Sequence, residues 1–308
     1  MMRATLQTWK GCCRAILILG MLIQGAATCP GEESLEQESG QFDLQENILF
    51  AREDGHILLL DLYKPINANK PLPLVVWIHG GGWQAGNKKN CPAKVLTHDG
   101  FAVASINYRL TSQATFPAQI HDCKGAIRFL RSSARTFGID PNAIGVWGGS
   151  AGGSLAALVG TSGKVAFLEG DVGGNLDCSS EVQAVCDWFG RKHFMAFADP
   201  NAYDTPRLPR VEALFTGTVD QKKQLAKAIS PLTHIDRNDP PFLIMHGRLD
   251  PVVAVGESED FFKALKKAGV SAELIVLEEA GHGFPDPKSF EPVRDFFVKH
   301  LKAKAANP

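Results

Sequence analysis

Short apolar runs recur along the chain from residue 46 onward, separated by longer stretches of mixed polarity. Two runs with alternating apolar residues, 46–52 and 56–63, flank the dipeptide Asp54-Gly55 and predict a β-hairpin. Six more strands are predicted at Leu74–Ile78, Phe101–Tyr108, Ala143–Trp147, Val182–Phe189, Phe242–Met245 and Glu273–Leu277. Apolar residues at helical spacing predict a helix over Ala118–Phe137. Strands that alternate with helices predict an α/β fold: a mostly parallel, mixed sheet with an N-terminal antiparallel hairpin and helices on both faces.

One segment, at about 191–228, interrupts this alternation with several prolines and two short helical patterns. Such an insertion is typical of a cap over an active site, because functional loops are commonly carried on a rigid scaffold. A plain surface loop is the alternative. We therefore predict a single domain over 46–308 with a cap insertion at about 191–228.

The first 45 residues do not fit the pattern of strands and helices. Residues 1–14 carry three basic side chains, and the apolar stretch that follows ends in Gly25-Ala-Ala27. This arrangement predicts a secretory signal peptide over 1–27, with an uncleaved anchor as the alternative. Residues 28–45 are acidic and polar, which predicts a flexible leader. The mature protein is therefore expected to be exported, to the periplasm or outside the cell, without a stable membrane span.

Composition and cysteine content narrow the classes of partner. The formal net charge is −1 at pH 7, so a basic surface for nucleic acid is not expected. Beyond residue 27 the chain has five cysteines, an odd number, of which Cys178 and Cys186 are close enough in sequence for a possible disulfide. The cysteines and histidines do not have the spacing of metal ligands, so we expect neither a metal nor a cofactor.

The most informative segment runs from Ile144 through Ser150 into an apolar, alanine-rich stretch. It predicts a strand, a tight turn with a serine at its tip, and a helix that begins at Ala151. Gly148 and Gly152 flank the serine in the G-x-S-x-G pattern, and side chains at these positions would collide with the neighbouring strand and helix. The pattern favours Ser150 as a nucleophile over an incidental serine in a glycine-rich turn.

A second glycine-rich segment follows the predicted strand at Leu74–Ile78 and reads His79-Gly-Gly-Gly-Trp83. Glycines allow main-chain amides to approach the oxygen that becomes negatively charged during acyl transfer. We assign the amides of Gly81, Gly82 and Ala151 to this oxyanion hole. His79 precedes the glycines and is expected to order the loop and not to act as a base.

A serine nucleophile needs a base, and the base needs a carboxylate that orients it. Asp250 follows the predicted strand at Phe242–Met245, and His282 follows the strand at Glu273–Leu277. Both residues are expected just beyond the carboxyl ends of strands, where open α/β sheets place their ligands. Their chain order, Ser150, Asp250, His282, is the order of the α/β-hydrolase triad.

Several segments together resemble a known family. They are His79–Trp83, Ala102–Leu110, Phe116–Lys124, Gly148–Gly153, Val182–Gly190, Ile229–Leu232, Asp250–Val253 and Gly281–Phe284. The chain is identified by them as an α/β-hydrolase of the hormone-sensitive-lipase-like esterase group, most similar to bacterial secreted feruloyl and acetyl esterases of polysaccharide breakdown. The resemblance implies a Pro-Thr-Asp-type turn after Gly190, where this chain has Arg191-Lys192-His193. This departure leaves the substrate preference open.

The sequence therefore predicts a secreted serine carboxylic-ester hydrolase that forms an acyl-enzyme. The expected substrates are acetyl or feruloyl esters of plant or algal polysaccharides, or other small esters. Trp83, Trp188 and Phe284 lie near the predicted catalytic segments and are expected to line the substrate pocket. Two alternatives remain: a serine peptidase of the dipeptidyl-peptidase-like branch, and a hydrolase-fold binding protein without catalysis. The sequence does not predict an oligomeric state.

Overall fold

The computed structural model describes residues 42–198, 209–284 and 286–302. The predicted signal peptide lies outside these residues, as do most of the predicted leader and part of the predicted cap. Residues 42–45 of that leader are instead the start of a strand, in which Phe42 pairs with Pro65. The ring of Phe42 also packs edge-on against Tyr63, with 5.2 Å between ring centroids. These contacts give the polar segment a place in the sheet that its composition does not suggest.

Eight strands form one sheet in the order β1-β2-β4-β3-β5-β6-β7-β8. Their bounds are β1 Phe42–Glu53, β2 His56–Pro65, β3 Leu72–Ile78, β4 Ala102–Ile106, β5 Ile139–Gly149, β6 Ala184–Trp188, β7 Phe242–Gly247 and β8 Ala272–Leu277. The pairs β1–β2 and β2–β4 are antiparallel, and all other neighbours are parallel. The predicted fold class, all eight strands and the N-terminal hairpin are therefore confirmed, with shifted ends.

Helices connect the parallel strands. Among the described residues the five longest α-helices are α1 Ala118–Ser132, α2 Ala151–Thr161, α3 Val219–Ile229, α4 Val255–Ala268 and α5 Glu291–Phe297. Single helical turns lie at Ala134–Phe137, Ala166–Glu169, Met195–Ala198 and Pro209–Glu212. Turns of 3₁₀ helix lie at Pro92–Asp99, Pro231–Thr233 and Pro287–Phe290, and Val298–Lys302 forms a π-helical turn.

The helix predicted over Ala118–Phe137 is interrupted at Ser133. The φ and ψ angles of Ser133 are −96° and 13°, so α1 ends there and a separate turn follows. That turn stops at Gly138, whose φ of 68° suits a glycine. Helical spacing of apolar residues continues across the break, which is why the sequence pattern does not reveal it.

The alternation of side chains along the strands creates two cores, one on each face of the sheet. In β3, Val76 and Ile78 face the core that also contains Leu155 of α2, whereas Val75 and Trp77 face the other core. We call these the first core and the second core. Within the residues that the structure describes, none of the helices combines the length and the apolar character needed to cross a bilayer.

Candidate active site

The turn between β5 and α2 holds Ser150 in a strained conformation. Its φ of 57° and ψ of −119° lie in a region that side-chain-bearing residues rarely adopt. A Cβ atom at Gly148 would overlap the carbonyl oxygen of Gly152, and one at Gly152 would overlap the carbonyl oxygen of Ile78. The predicted steric need for both glycines is therefore confirmed. Because the chain passes from β5 to α2 through Ser150 alone, this side chain lies at the tip of the turn.

Three side chains that are far apart in sequence meet at this turn. The Nε2 atom of His282 lies 2.8 Å from Ser150 Oγ, and its Nδ1 atom lies 2.7 Å from Asp250 Oδ2. A carboxylate only accepts hydrogen bonds, so Nδ1 carries the proton and Nε2 accepts from the serine hydroxyl. The structure thus brings together the three residues predicted as a triad, in the geometry of nucleophile, base and orienting acid.

The carboxylate of Asp250 is buried and accepts four hydrogen bonds. Oδ1 accepts from the amides of Val252 and Val253 at 2.7 and 2.9 Å, and Oδ2 accepts from His282 and His246. Burial by itself would raise the pKa of Asp250, but hydrogen bonds from the Val253 amide, His282 and the Val252 amide outweigh it and lower that pKa. Asp250 is therefore held as an anion that can orient His282.

His246, in β7, is a partner of Asp250 that the sequence analysis missed. Its Nε2 atom lies 2.9 Å from the carbonyl oxygen of Val253 and 3.1 Å from Asp250 Oδ2, so Nε2 is the donor. Ser258 Oγ, in α4, lies 2.7 Å from Nδ1 and donates to it. Burial lowers the pKa of His246, which keeps the ring neutral. The one hint in the sequence is the spacing: a histidine that lies four residues before the predicted acid could have been considered as its partner.

The loop after β3 places main-chain amides beside the serine. Gly81 and Gly82 have φ angles of 114° and 60°, and the carbonyl of Gly81 accepts from the amides of Gln84 and Ala85. Within the described parts of the chain, the amides of Gly81, Gly82 and Ala151 donate to no protein acceptor. All three residues line the same cleft as Ser150. This is the arrangement expected of an oxyanion hole.

His79 supports this loop from below. Its ring is buried and stacks on Tyr108 with 4.3 Å between centroids, and its Nδ1 lies 2.8 Å from the Gly80 carbonyl oxygen. The Tyr108 hydroxyl donates to the His79 carbonyl oxygen at 3.0 Å. Burial lowers the pKa of His79. A neutral histidine in such contacts orders the loop, as the sequence analysis expected.

The cleft around Ser150 has a volume of about 380 Å³. Besides the turn at Ser150 and the glycine loop, its lining includes residues of the predicted cap and of the loop before α4. They are Arg191, Pro209, Arg210, Val211, Val252 and Val253. Part of the insertion therefore lies at the mouth of the site, while residues 199–208 are outside the described chain.

A family model matches residues 60–265 of this chain, which are about two thirds of the sequence. The matched region contains Ser150 and Asp250. Its description is BD-FAE. The chain belongs to the BD-FAE family. The predicted resemblance to the hormone-sensitive-lipase-like α/β-hydrolases is thereby confirmed.

Other proteins are similar to this BD-FAE chain. Esterase LipC of Mycobacterium tuberculosis is 32% identical over 237 residues, which cover 75% of this chain and 58% of LipC. A truncated carbohydrate esterase from gut microbiota is 33% identical with a TM-score of 0.74, covering 84% of this chain and 96% of that one. Butyrate-bound Est2 of Thermogutta terrifontis is 28% identical with a TM-score of 0.70, covering 82% and 93%.

The chain spans only about half to three fifths of the length of the curated relatives LipC, LipM and LipQ. The solved esterase structures above are covered almost completely.

The aromatic residues predicted to line the pocket divide between the cleft and the core of this BD-FAE domain. Trp83 lines the cleft, although only 4% of its surface is exposed. Trp188 and Phe284 do not line it, and that prediction is wrong. They pack edge-on against each other in the second core, with 4.9 Å between centroids. Trp188 lies two residues after Cys186 in β6, so both side chains point to the same face of the sheet. That face is the one opposite α2.

The ring of Phe189 contacts that of His282, the predicted base. Its ring centroid lies 4.7 Å from that of His282 and 4.9 Å from that of Phe284. The φ of Phe189 is 41°, which turns its side chain out of the alternation of β6. Periodicity along the sequence does not predict this contact, because it cannot reveal a change of backbone conformation at a strand end.

The main acid that holds the unusual segment Arg191-Lys192-His193 is Glu257, in the first turn of α4, which contacts all three residues. Glu257 Oε1 accepts from the Arg191 guanidinium at 2.7 Å, and Oε2 accepts from the amides of Lys192 and His193 at 2.7 and 3.1 Å. The ammonium of Lys192 forms a buried ion pair with Asp187, 2.7 Å away. Side-chain charges hold this loop where the resemblance implied a proline-containing turn.

The predicted disulfide between Cys178 and Cys186 does not form, and both are free thiols. Cys186 is completely buried in β6 and faces the second core. Cys178 lies in the preceding loop, where its amide donates to the Asn175 carbonyl at 2.9 Å. Closeness in sequence did not bring the two side chains together, because the strand directs one of them into the protein interior.

Proposed function

We propose that this protein is an exported serine carboxylic-ester hydrolase in which Ser150 is the nucleophile, His282 the general base and Asp250 the residue that orients the base. The observation that carries the proposal is the continuous chain from Ser150 Oγ through both nitrogens of His282 to Asp250, at 2.8 and 2.7 Å. The esterase names of the relatives and structural neighbours support it.

The first half of the reaction forms an acyl-enzyme. His282 Nε2 accepts the hydroxyl proton while Ser150 Oγ attacks the ester carbonyl carbon. The carbonyl oxygen becomes an oxyanion, which accepts hydrogen bonds from the amides of Gly81, Gly82 and Ala151. Losing one such donor typically costs on the order of 3 kcal/mol in the transition state. Collapse of the tetrahedral species breaks the bond to the alcohol oxygen, which takes the proton back from His282.

The second half releases the acid. His282, neutral again, accepts a proton from water, and the resulting hydroxide equivalent attacks the acyl carbon. The same amides stabilise the second oxyanion. Its collapse returns the proton to Ser150 and frees the carboxylic acid. Asp250 remains ionised throughout and stabilises the imidazolium that forms twice in each cycle.

For the substrates we propose acetyl or feruloyl esters of plant or algal polysaccharides, or other small esters. Two features support esters with a modest acyl group: a cleft of about 380 Å³ and an apolar lining of valines beside Trp83. Support for a carbohydrate comes from the carbohydrate esterase among the structural neighbours.

The test compares purified wild type with Ser150→Ala on 4-nitrophenyl acetate, acetylated oligosaccharides and feruloylated oligosaccharides. We expect the wild type to hydrolyse the model ester and at least one oligosaccharide class, and to be labelled at Ser150 by a fluorophosphonate. Hydrolysis of a dipeptide amide in preference to the esters would instead favour a peptidase. Absence of both labelling and turnover would favour a binding protein.

Export is the remaining part of the proposal, and it depends on the sequence of residues 1–27. Expression of the full chain in a bacterial host, followed by N-terminal sequencing of the extracytoplasmic fraction, tests it. We expect a new N-terminus after Ala27. A full-length protein that stays in the cytoplasm would contradict export without affecting the proposed chemistry.

A further inference from the structure

The ionisable residues that line the catalytic cleft are all bases. Arg191, Arg210 and His282 belong to its lining, and no carboxylate does among the residues that the structure describes. The remaining lining residues are glycines, serines and apolar side chains, so the two arginines dominate the charge at the cleft mouth.

The charge of Arg191 is already compensated. Its Nη1 atom donates to Glu257 Oε1 at 2.7 Å, and its Nη2 atom donates to the Val252 carbonyl at 2.9 Å. The side chains of Arg191 and Glu257 are only 10% and 11% exposed, and the guanidinium also lies over the ring of Phe197. Arg191 is therefore a structural cation that has little capacity left for a ligand.

Arg210 differs in every one of these respects. It lies in the single helical turn Pro209–Glu212, is exposed, and forms neither a hydrogen bond nor an ion pair with any residue in the described parts of the chain. Its aliphatic stem packs directly over Gly82, since a Cβ atom on that glycine would lie 2.9 Å from Arg210 Cδ. Among the described residues, then, no acid pairs with the guanidinium of Arg210, whose stem lies against Gly82 of the proposed oxyanion hole.

We propose that Arg210 forms a carboxylate subsite and that the preferred substrates are esters that carry a carboxylate near the ester bond. The inference deepens the proposed ester hydrolysis and rests on it. A guanidinium can bind a carboxylate through two parallel hydrogen bonds, which neutral esters cannot offer. Such a carboxylate belongs either to the acyl group, as in a dicarboxylic hemiester, or to the alcohol, as in an acetylated uronic acid.

Two matched pairs of substrates distinguish these sources. For the acyl side, 4-nitrophenyl hydrogen glutarate is compared with 4-nitrophenyl pentanoate, which has the same chain length. For the alcohol side, an O-acetylated methyl glucuronoside is compared with the O-acetylated methyl glucoside. The measured quantity is the ratio of kcat/KM for the acidic and neutral member of each pair, in wild type, Arg210→Gln and Arg210→Lys.

Glutamine retains Cβ, Cγ and Cδ atoms like those that cover Gly82 and replaces the charged guanidinium by a shorter, neutral amide. We expect Arg210→Gln to lower the acidic-to-neutral ratio about fivefold in one pair, as for a partly exposed ion pair, and lysine to keep part of the preference. High salt should reduce the wild-type ratio, since at 1 M the screening length is about 3 Å. The matched control is Arg237→Gln, an exposed arginine outside the cleft lining, which should keep the wild-type ratio.

A ratio that Arg210→Gln leaves unchanged in both pairs, while wild type hydrolyses the neutral esters, would overturn the subsite and leave the proposed hydrolase intact. An equal fall for Arg237→Gln would overturn it as well. Failure of wild type to exceed Ser150→Ala on all four esters would overturn the proposed function and the subsite with it.

Discussion

The lining of the cleft has two parts that are built in different ways: the carboxyl ends of the parallel strands, and the insertion that follows β6. At the strand ends, the Asp250 carboxylate and the His246 ring are buried, and both carboxylate oxygens and both ring nitrogens are hydrogen-bonded. In the insertion, Arg210 is exposed and meets the cleft through its stem. The proposed catalytic side chains are therefore positioned by buried contacts of the core. The side chains expected to contact the rest of the substrate are positioned by a few contacts at the surface.

Substitutions at the strand ends should therefore act on kcat, and substitutions in the insertion and its supports should act on KM.

Replacement of Ser150 by alanine should abolish ester hydrolysis. Without the nucleophile the acyl-enzyme cannot form, and kcat should fall by roughly four to six orders of magnitude. Steady-state kinetics on 4-nitrophenyl acetate measures the loss. Because triad residues act as a unit, adding His282→Ala should cost little more. A Ser150→Ala protein that kept a tenth of wild-type turnover would contradict the assignment.

Asp250→Asn should lower kcat by about three to four orders of magnitude. Asparagine presents an amide N–H to one of the groups that now donate to the carboxylate, so His282 loses its tautomer or its orientation. Because that donor is also left unpaired in a buried site, we expect a loss of about 1–3 kcal/mol in the free energy of unfolding at pH 7. Thermal unfolding measures this second effect.

The stability loss should depend on pH with a defined sign. The folded-state pKa of Asp250 lies below its ordinary value, so the ionised carboxylate contributes stability above the ordinary pKa, and this contribution disappears as pH falls through the folded pKa. The difference in Tm between wild type and Asp250→Asn should therefore shrink below about pH 3.9. A difference that stayed constant down to pH 3 would show that the carboxylate is not stabilised in the folded protein.

These positions also show how far the sequence can predict the site. The glycine pattern around Ser150 and the chain order of the triad depend on local sterics and on the ends of strands, and local patterns report both. The contacts of Trp188 depend on which face of the sheet its strand position faces, and those of Phe189 depend on one positive φ angle. The composition of the segment predicts neither. The partnership of His246 with Ser258 depends on where α4 packs against β7, which only the tertiary structure determines.

Ser258→Ala should have an intermediate effect, because it acts on the catalytic acid through His246. Without the hydroxyl donor, Nδ1 of His246 can take the proton, and Nε2 then ceases to donate to Asp250 and to the Val253 carbonyl. We expect kcat to fall roughly tenfold, the equivalent of about one hydrogen bond. The control is Ser105→Ala, which removes an equally buried hydroxyl whose partner is the distant Lys88 carbonyl. Equal effects of both variants on kcat would argue against a positioning role for His246.

The smallest catalytic effect is expected from Glu257→Gln, which loosens the support of the insertion and leaves the triad untouched. Glu257 now accepts from the Arg191 guanidinium with one oxygen and from two main-chain amides with the other. A glutamine must turn its NH₂ group toward one of these donors, so either Arg191 or the amides of Lys192 and His193 lose their acceptor. Because Arg191 and Val252 both line the cleft, KM should rise about three- to fivefold, while kcat should stay within about twofold. The free energy of unfolding should fall by about 1 kcal/mol.

Steady-state kinetics on a neutral ester measures KM and kcat, and thermal unfolding measures the stability. If kcat fell tenfold at constant KM, the loop after β6 would be part of the catalytic frame, and the division between the two parts of the cleft would be wrong.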